Sequence, residues 1–243
     1  MGGETVYYYE LHCHTSVGSA CSRQTPEELV ASYAKAGYRG VVLTDHFGRG
    51  NTCVPRELPW AEQMQRFFSA AERAEAAART LGMEVHFGVE FGLPMAKEVL
   101  LYGLPRAFFL DNPNLGSLLL PALSERVRRA GGLIFWAHPF RIRDYIPDPS
   151  ARLDAALLDG VEAENYWDPD EVNEDAWRFA AAHGLPVSAG SDNHRGVDGL
   201  QNGLAVPEPL QTAADLKAAL LERNKILLVR GAERSVGEPR KPC

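Results

Sequence analysis

The residues best equipped for chemistry are histidines and carboxylates set at the ends of apolar runs. His12 and His14 close the run YYYELHCH as an H-x-H pair. Strand side chains alternate, so the two imidazoles share one face and Cys13 points to the other, which reads as a buried thiol. His46 follows VVLTD, Glu90 ends VHFGVE, His138 ends LIFWAH, and Asp192 and His194 repeat the i, i+2 spacing after VSAGS. Imidazole nitrogens combined with carboxylate oxygens are the donor set of Zn, Fe or Mn sites, and Glu90 could bridge two ions. Taken singly, each motif has an ordinary structural reading, since H-x-H can be plain strand side chains and Asp45 can cap a turn. Their shared position at strand ends predicts a metal centre. Two further histidines read as structural. His86 falls inside a run, and His183 sits one residue before Gly184, beside the negative end of a helix.

The elements that must position these residues are legible in outline. Apolar runs predict strands at residues 6–11, 40–44, 84–89, 99–102, 133–137, 160–164, 186–189 and 225–229. Helical patterns fill 25–37, 60–81, 118–130, 170–183 and 212–223. The first opens on Thr25-Pro26-Glu27-Glu28, with a capping residue, a proline at the first helical position and acids in the first turn, and Gly37 closes it. Repeated strand–helix units predict a mainly parallel α/β architecture, and seven or eight units fit a closed barrel better than an open sheet. In such a barrel the strand C-termini converge on one mouth, where residues from 12 to 194 would meet. Residues 1–231 read as one domain, 104–120 as an irregular insertion in it, and 232–243 as a polar tail.

Composition bounds the rest. At 243 residues, 45% hydrophobic and 23% charged, the chain can bury a large single core, and disorder is excluded. Four cysteines without a C-x-x-C pair form no disulfide scaffold, and no signal peptide or membrane span is visible, so a cytoplasmic, membrane-free protein is expected. The net charge of -7 argues against passive coating of nucleic acid.

The ordered set E-L-H-C-H, L-T-D-H, G-V-E, A-H-P-F and G-S-D-N-H resembles the PHP family, named for polymerase and histidinol phosphatase domains, over about residues 6–205. The resemblance implies a distorted (β/α)7 TIM-like barrel with two or three divalent ions at the strand C-termini. It implies that His12, His14, Glu90 and Asp192 hold a first ion, that Glu90 bridges to a second shared with His138, and that His46 and His194 contribute to a third. Two family histidines have no counterpart here: Gly103 stands where one is expected after the glutamate, and Ala20-Cys21 where another follows H-x-H. Cys21, Asp45 or water could substitute. Asn165 matches a polar position at the mouth.

Together these residues predict metal-dependent hydrolysis of a phosphate monoester or small phosphodiester by a metal-activated water. The substrate-binding candidates are Arg23, Arg141 and Arg195, with His194 or Asp45 as the proton donor for the leaving oxygen. A small phosphorylated substrate and no stable nucleic-acid partner are expected. Two other readings stand beside this one. An amidohydrolase-like enzyme could direct the same hydroxide at a carbonyl, and a PHP module could bind metal without turnover.

Overall fold

The computed structural model describes residues 5–236. Strand β1 (Tyr7–Cys13) leads through α1 (Pro26–Ala36) to β2 (Gly40–Leu43) and the short β3 (His46–Gly48). Next come α2 (Trp60–Leu81), β4 (Glu84–Gly92), β5 (Glu98–Tyr102), α3 (Arg106–Leu110), α4 (Leu120–Arg129) and β6 (Leu133–Trp136). The chain continues with β7 (Gly160–Asn165), α5 (Asp170–His183), β8 (Val187–Gly190), β9 (Gly203–Val206), α6 (Ala213–Leu221), β10 (Ile226–Val229) and β11 (Ala232–Ser235).

Local chemistry sets the helix boundaries. Thr25 accepts from the Glu28 backbone N–H while the Glu28 carboxylate accepts from the Thr25 N–H, a reciprocal cap at the start of α1. Gly37 ends that helix at φ 95, a left-handed conformation that glycine adopts without steric cost. Between α2 and β4, Phe67, Phe68, Phe87 and Phe109 meet edge to face with centroids 5.3–6.3 Å apart. Each such pair contributes about 0.5–1.5 kcal/mol beyond area burial.

All strands but β3 lie along one path, β11-β10-β9-β1-β2-β4-β5-β6-β7-β8, and β3 pairs with β4. The sheet is curled into a half-barrel whose end strand β8 comes round to β1. There Cys13 bridges Asn193, and the His14 N–H donates to the Asn193 carbonyl at 3.0 Å. A Cβ added at Gly190 would stand 2.5 Å from the His12 Cβ, so only glycine lets β8 approach this closely.

The sheet is not mainly parallel, and a regular repeat of seven strand–helix units does not describe it. β4–β5, β5–β6, β1–β9, β9–β10 and β10–β11 are antiparallel. The reason is connection length. β4 runs on to Gly92, leaving residues 93–97 as the link to β5, and a parallel crossover needs a dozen residues or more. Two other expectations also change. Residues 104–120 hold α3 and a single helical turn, which plant Phe108, Phe109 and Leu115 in the core. The expected polar tail begins with β11, paired along β10, and its remainder from 237 lies outside the described residues. Among the described residues no helix is long and apolar enough to cross a membrane.

Candidate metal centre

The predicted ligands do converge. His12 and His14 leave the end of β1, His46 opens β3, Glu90 lies near the end of β4, His138 follows β6, and Asp192 and His194 follow β8. Three groups of side chains have donor atoms within 4.8 Å of one another: His12, His14, Glu90 and Asp192; His46, Glu90 and Glu98; and His14, His46 and His194. His138 joins through Nε2, 2.8 Å from Glu90 Oε1.

Whether this pocket suits a cation is decided by its unused atoms. His12 Nε2, His14 Nε2, His46 Nδ1 and Glu90 Oε2 are all buried without a hydrogen-bond partner. His46 Nδ1 lies 2.8 Å from Glu90 Oε2, yet out of alignment for a hydrogen bond. Four orphaned lone-pair atoms in one place would be costly unless a cation satisfied them. The donor set fits a divalent transition metal.

The opposite ring nitrogens are held from behind. His12 Nδ1 meets Glu162 Oε1 at 2.9 Å, and the other Glu162 oxygen accepts the His138 N–H at 2.9 Å and Asn165 Nδ2 at 3.1 Å. His14 Nδ1 meets Ser19 Oγ at 3.0 Å. Carboxylate or hydroxyl contacts of this kind fix ring orientation and leave Nε2 for the metal. His138 and Asp192 sit at φ 27 and φ 52, strained for non-glycine residues, so the surrounding structure imposes their aim.

Electrostatics sort the groups into charged and neutral donors. Burial, reinforced by the neighbouring His46, drives the His14 imidazole well below its ordinary range and so toward the neutral form that binds metals. Burial opposes ionisation of Asp192, but the Arg141 guanidinium and His12 outweigh it and hold the carboxyl well below the usual range. Glu98 is pushed up to about 7 by burial and by the Glu90 carboxylate. Burial would raise the Cys21 thiol, yet hydrogen bonds with His194 and His46 bring it down to about 6.

Glu98 is a candidate ligand that sequence reasoning missed. β5 runs antiparallel to β4, so its first residue reaches the mouth, and Gly103 lies beyond its far end. Glu98 carboxylate oxygens stand 3.6 Å from His46 Nδ1 and from His138 Nε2. The signal was there in sequence, as the short link that forces an antiparallel pair.

The other candidates separate. Asp45 is buried with both oxygens engaged, by the Thr15 N–H at 2.7 Å, Thr15 Oγ1 at 2.6 Å and Ser19 Oγ at 2.7 Å, so it braces the loop that carries His14. Arg141 is buried and fully engaged: Nε donates to Asp168 at 2.9 Å, Nη1 to Asp192 at 2.6 Å and Nη2 to Asn165 at 2.7 Å. Arg195 is exposed on the wall of a cavity of about 640 Å³ that also takes in Cys21, Glu90, Glu98, His138, Arg143, Tyr145, Trp167 and His194. Arg23 is exposed and not among the lining residues of that cavity. His86 lies apart, its Nε2 against the Leu210 carbonyl at 2.7 Å, and His183 packs on Phe179 at the end of α5.

The PHP domain family model matches residues 10–172. The chain belongs to the PHP domain family. An error-prone DNA polymerase of Azoarcus sp. (strain BH72) is 28% identical over 202 residues, which is 79% of this chain but 17% of the polymerase. The chain therefore spans only a small part of that relative. Among solved structures, a two-domain protein from Bacteroides vulgatus containing a predicted PHP-like metal-dependent phosphoesterase superposes with TM-score 0.68 at 14% identity, over 94% of this chain and 66% of that one. The lesion-specific endonuclease Q of Pyrococcus furiosus gives TM-score 0.58 at 14% identity, covering 89% and 56%. These relatives overturn the expectation of a small phosphorylated substrate without a nucleic-acid partner, because a DNA polymerase and a lesion-specific endonuclease carry this domain or its fold. The net charge argued only against passive coating of nucleic acid, and the cavity wall carries three arginines, Arg141, Arg143 and Arg195, beside Glu90, Glu98 and Asp192.

Proposed function

We propose that this PHP domain is a metal-dependent phosphodiesterase acting on nucleic-acid strands. The observation that carries the reading is the set of four orphaned buried donor atoms, of which those of His46 and Glu90 belong to residues lining a cavity that Arg143, Arg195, Tyr145 and Trp167 also wall. Tyr145 and Trp167 are 61% and 54% exposed, and exposed rings beside guanidinium groups are the equipment for stacking bases and holding phosphates.

In this reading His12, His14, Glu90 and Asp192 would hold one divalent ion, and Glu90, Glu98, His46 and His138 would hold a second. Such ions supply a water acidic enough to ionise near neutral pH and polarise the phosphoryl oxygens. The chain's own groups do the rest. Arg195 and Arg143 bind non-bridging oxygens and set the phosphorus in line. Arg141 keeps Asp192 ionised and aimed, a positioning role rather than a phosphate clamp. His194 donates Nδ1–H to the Asp192 carbonyl at 2.8 Å, which fixes the ring, and in the imidazolium form Nε2 carries the second proton, the one available to a leaving group. Its imidazole hands a proton, through water, to the departing oxygen. Asp45 has no free oxygen for that task.

The test is incubation of the Mn-, Fe- or Zn-loaded chain with end-labelled single-stranded and duplex DNA. Cleavage that stops with a chelator, and in His12→Ala and Glu90→Gln, is the expected result. Intact DNA under every metal would overturn the reading.

A further inference from the structure

Three cavities join around the loop that follows β3. The metal-site cavity shares Asn51, Glu98 and Tyr145 with a second of about 390 Å³. The second shares Arg49, Thr52 and Arg56 with a third of about 590 Å³. The three cavities therefore lie side by side, a row or trench leading away from the reacting centre.

Its charge is the reverse of the whole molecule's. Arg49, Arg56 and Lys97 line the second and third cavities, and the one acid among their lining residues is Glu98, already assigned to the metal centre. Arg56 donates to the Gly50 carbonyl at 2.8 Å and Arg49 to the Ser117 carbonyl at 3.5 Å, and among the described residues neither forms a salt bridge. Lys97 is buried, its ammonium donating to the Pro149 carbonyl at 3.4 Å and lying 6.0 Å from the centre of the Trp136 ring. In a chain of net charge -7, two arginines that among the described residues form no salt bridge, with Lys97 beside them, mark a place kept for an outside anion.

The far end is aromatic. Phe47, Trp60 and Phe67 wall the third cavity, and the Trp60 indole N–H is tied to the Phe109 carbonyl at 2.9 Å, which fixes its ring. Repeating anions with flat apolar groups attached describe one polymer well, a nucleic-acid strand.

Resting on the phosphodiesterase reading, we infer that this trench holds the strand on one side of the scissile bond. Arg49, Arg56 and Lys97 follow the phosphates, and one base enters the third cavity against Trp60, whose ring is held by the buried Phe47 behind it. Substrate length then matters, because a strand that reaches the third cavity gains contacts a dinucleotide cannot make.

The experiment compares the metal-loaded wild type with the Arg49→Ala/Arg56→Ala variant on three substrates: a single strand of roughly twelve nucleotides, a dinucleotide, and bis(p-nitrophenyl) phosphate. The variant should lose about tenfold or more in kcat/KM on the long strand through KM, with the p-nitrophenyl diester unaffected. Its salt dependence on the long strand should be shallower by about 1.4 in log–log slope, for two lost phosphate contacts. Unchanged KM and salt slope would remove the trench from substrate binding while DNA cleavage stood. A wild type that hydrolyses the p-nitrophenyl diester but no nucleic acid would overturn the nucleic-acid reading, and the trench with it.

Discussion

Arg141 shows how one side chain's partners decide its role. Its guanidinium reaches Asp168, Asp192 and Asn165 at once, all within a buried site. A lysine cannot present that planar fork, so Arg141→Lys leaves buried acceptors unpaired and is expected to lower unfolding free energy by about 3 kcal/mol. Urea denaturation checks this, and a variant as stable as wild type would mean the network is worth little. Glu98 supplies the complementary case. Glu98→Ala should reduce bound metal by about one ion per chain after loading and desalting, with His86→Ala as the unchanged control. Equal metal content in both would take Glu98 out of the centre. Histidines 12, 14, 46, 138 and 194 were legible because strand-end position is a local pattern. Glu98 and Glu162 were not, since one depends on strand direction and the other touches His12 only across the closed sheet.

At the scale of elements, helix ends were readable and sheet pairing was not. Thr25, Gly37, Gly82 and Gly184 announce their boundaries through side-chain capping and left-handed φ, both local effects. Strand order depends on contacts between distant segments, and short strands such as β3 and β9 carry too few residues to show a period. The contact of β8 with β1 can be tested directly. Gly190→Ala would bring a methyl group within 2.4 Å of Glu162 Oε1 and 2.5 Å of the His12 Cβ. Overpacking of this kind costs about 1–3 kcal/mol. Because the displaced atoms carry a metal ligand, metal content should fall along with stability. A variant that loses stability but binds metal as before would show that β8 only packs there.

For the molecule as a whole, buried charge links stability to pH. Lys225 is buried, its ammonium donating to the Val187 carbonyl at 2.9 Å and to the Leu220 carbonyl, and burial pulls its pKa down to about 7. An unfolded lysine keeps its proton to far higher pH. Between about 7 and the ordinary lysine range the unfolded chain therefore binds more protons, and stability rises with pH. Below about 7 the penalty is present in full. Melting temperatures of wild type and Lys225→Met, measured at about pH 6, 7.5 and 9, should differ by an amount that shifts in favour of wild type as pH rises. Parallel curves would show that Lys225 does not titrate across this range.

The placement of the ligands along the chain also fixes when the centre can form. His46, Glu90 and Glu98 lie within one stretch of the chain, and the last two are joined by the short β4–β5 turn, so they can meet early at little loop-closure cost. Asp192 and His194 stand after β8, far along the sequence from His12 and His14. During synthesis from the N-terminus, the partial cluster would therefore be available well before the four-residue group that needs Asp192. Metal bound by that last group would report that β8 has come round to β1, an event distinct from the later addition of β9, β10 and β11 to the sheet.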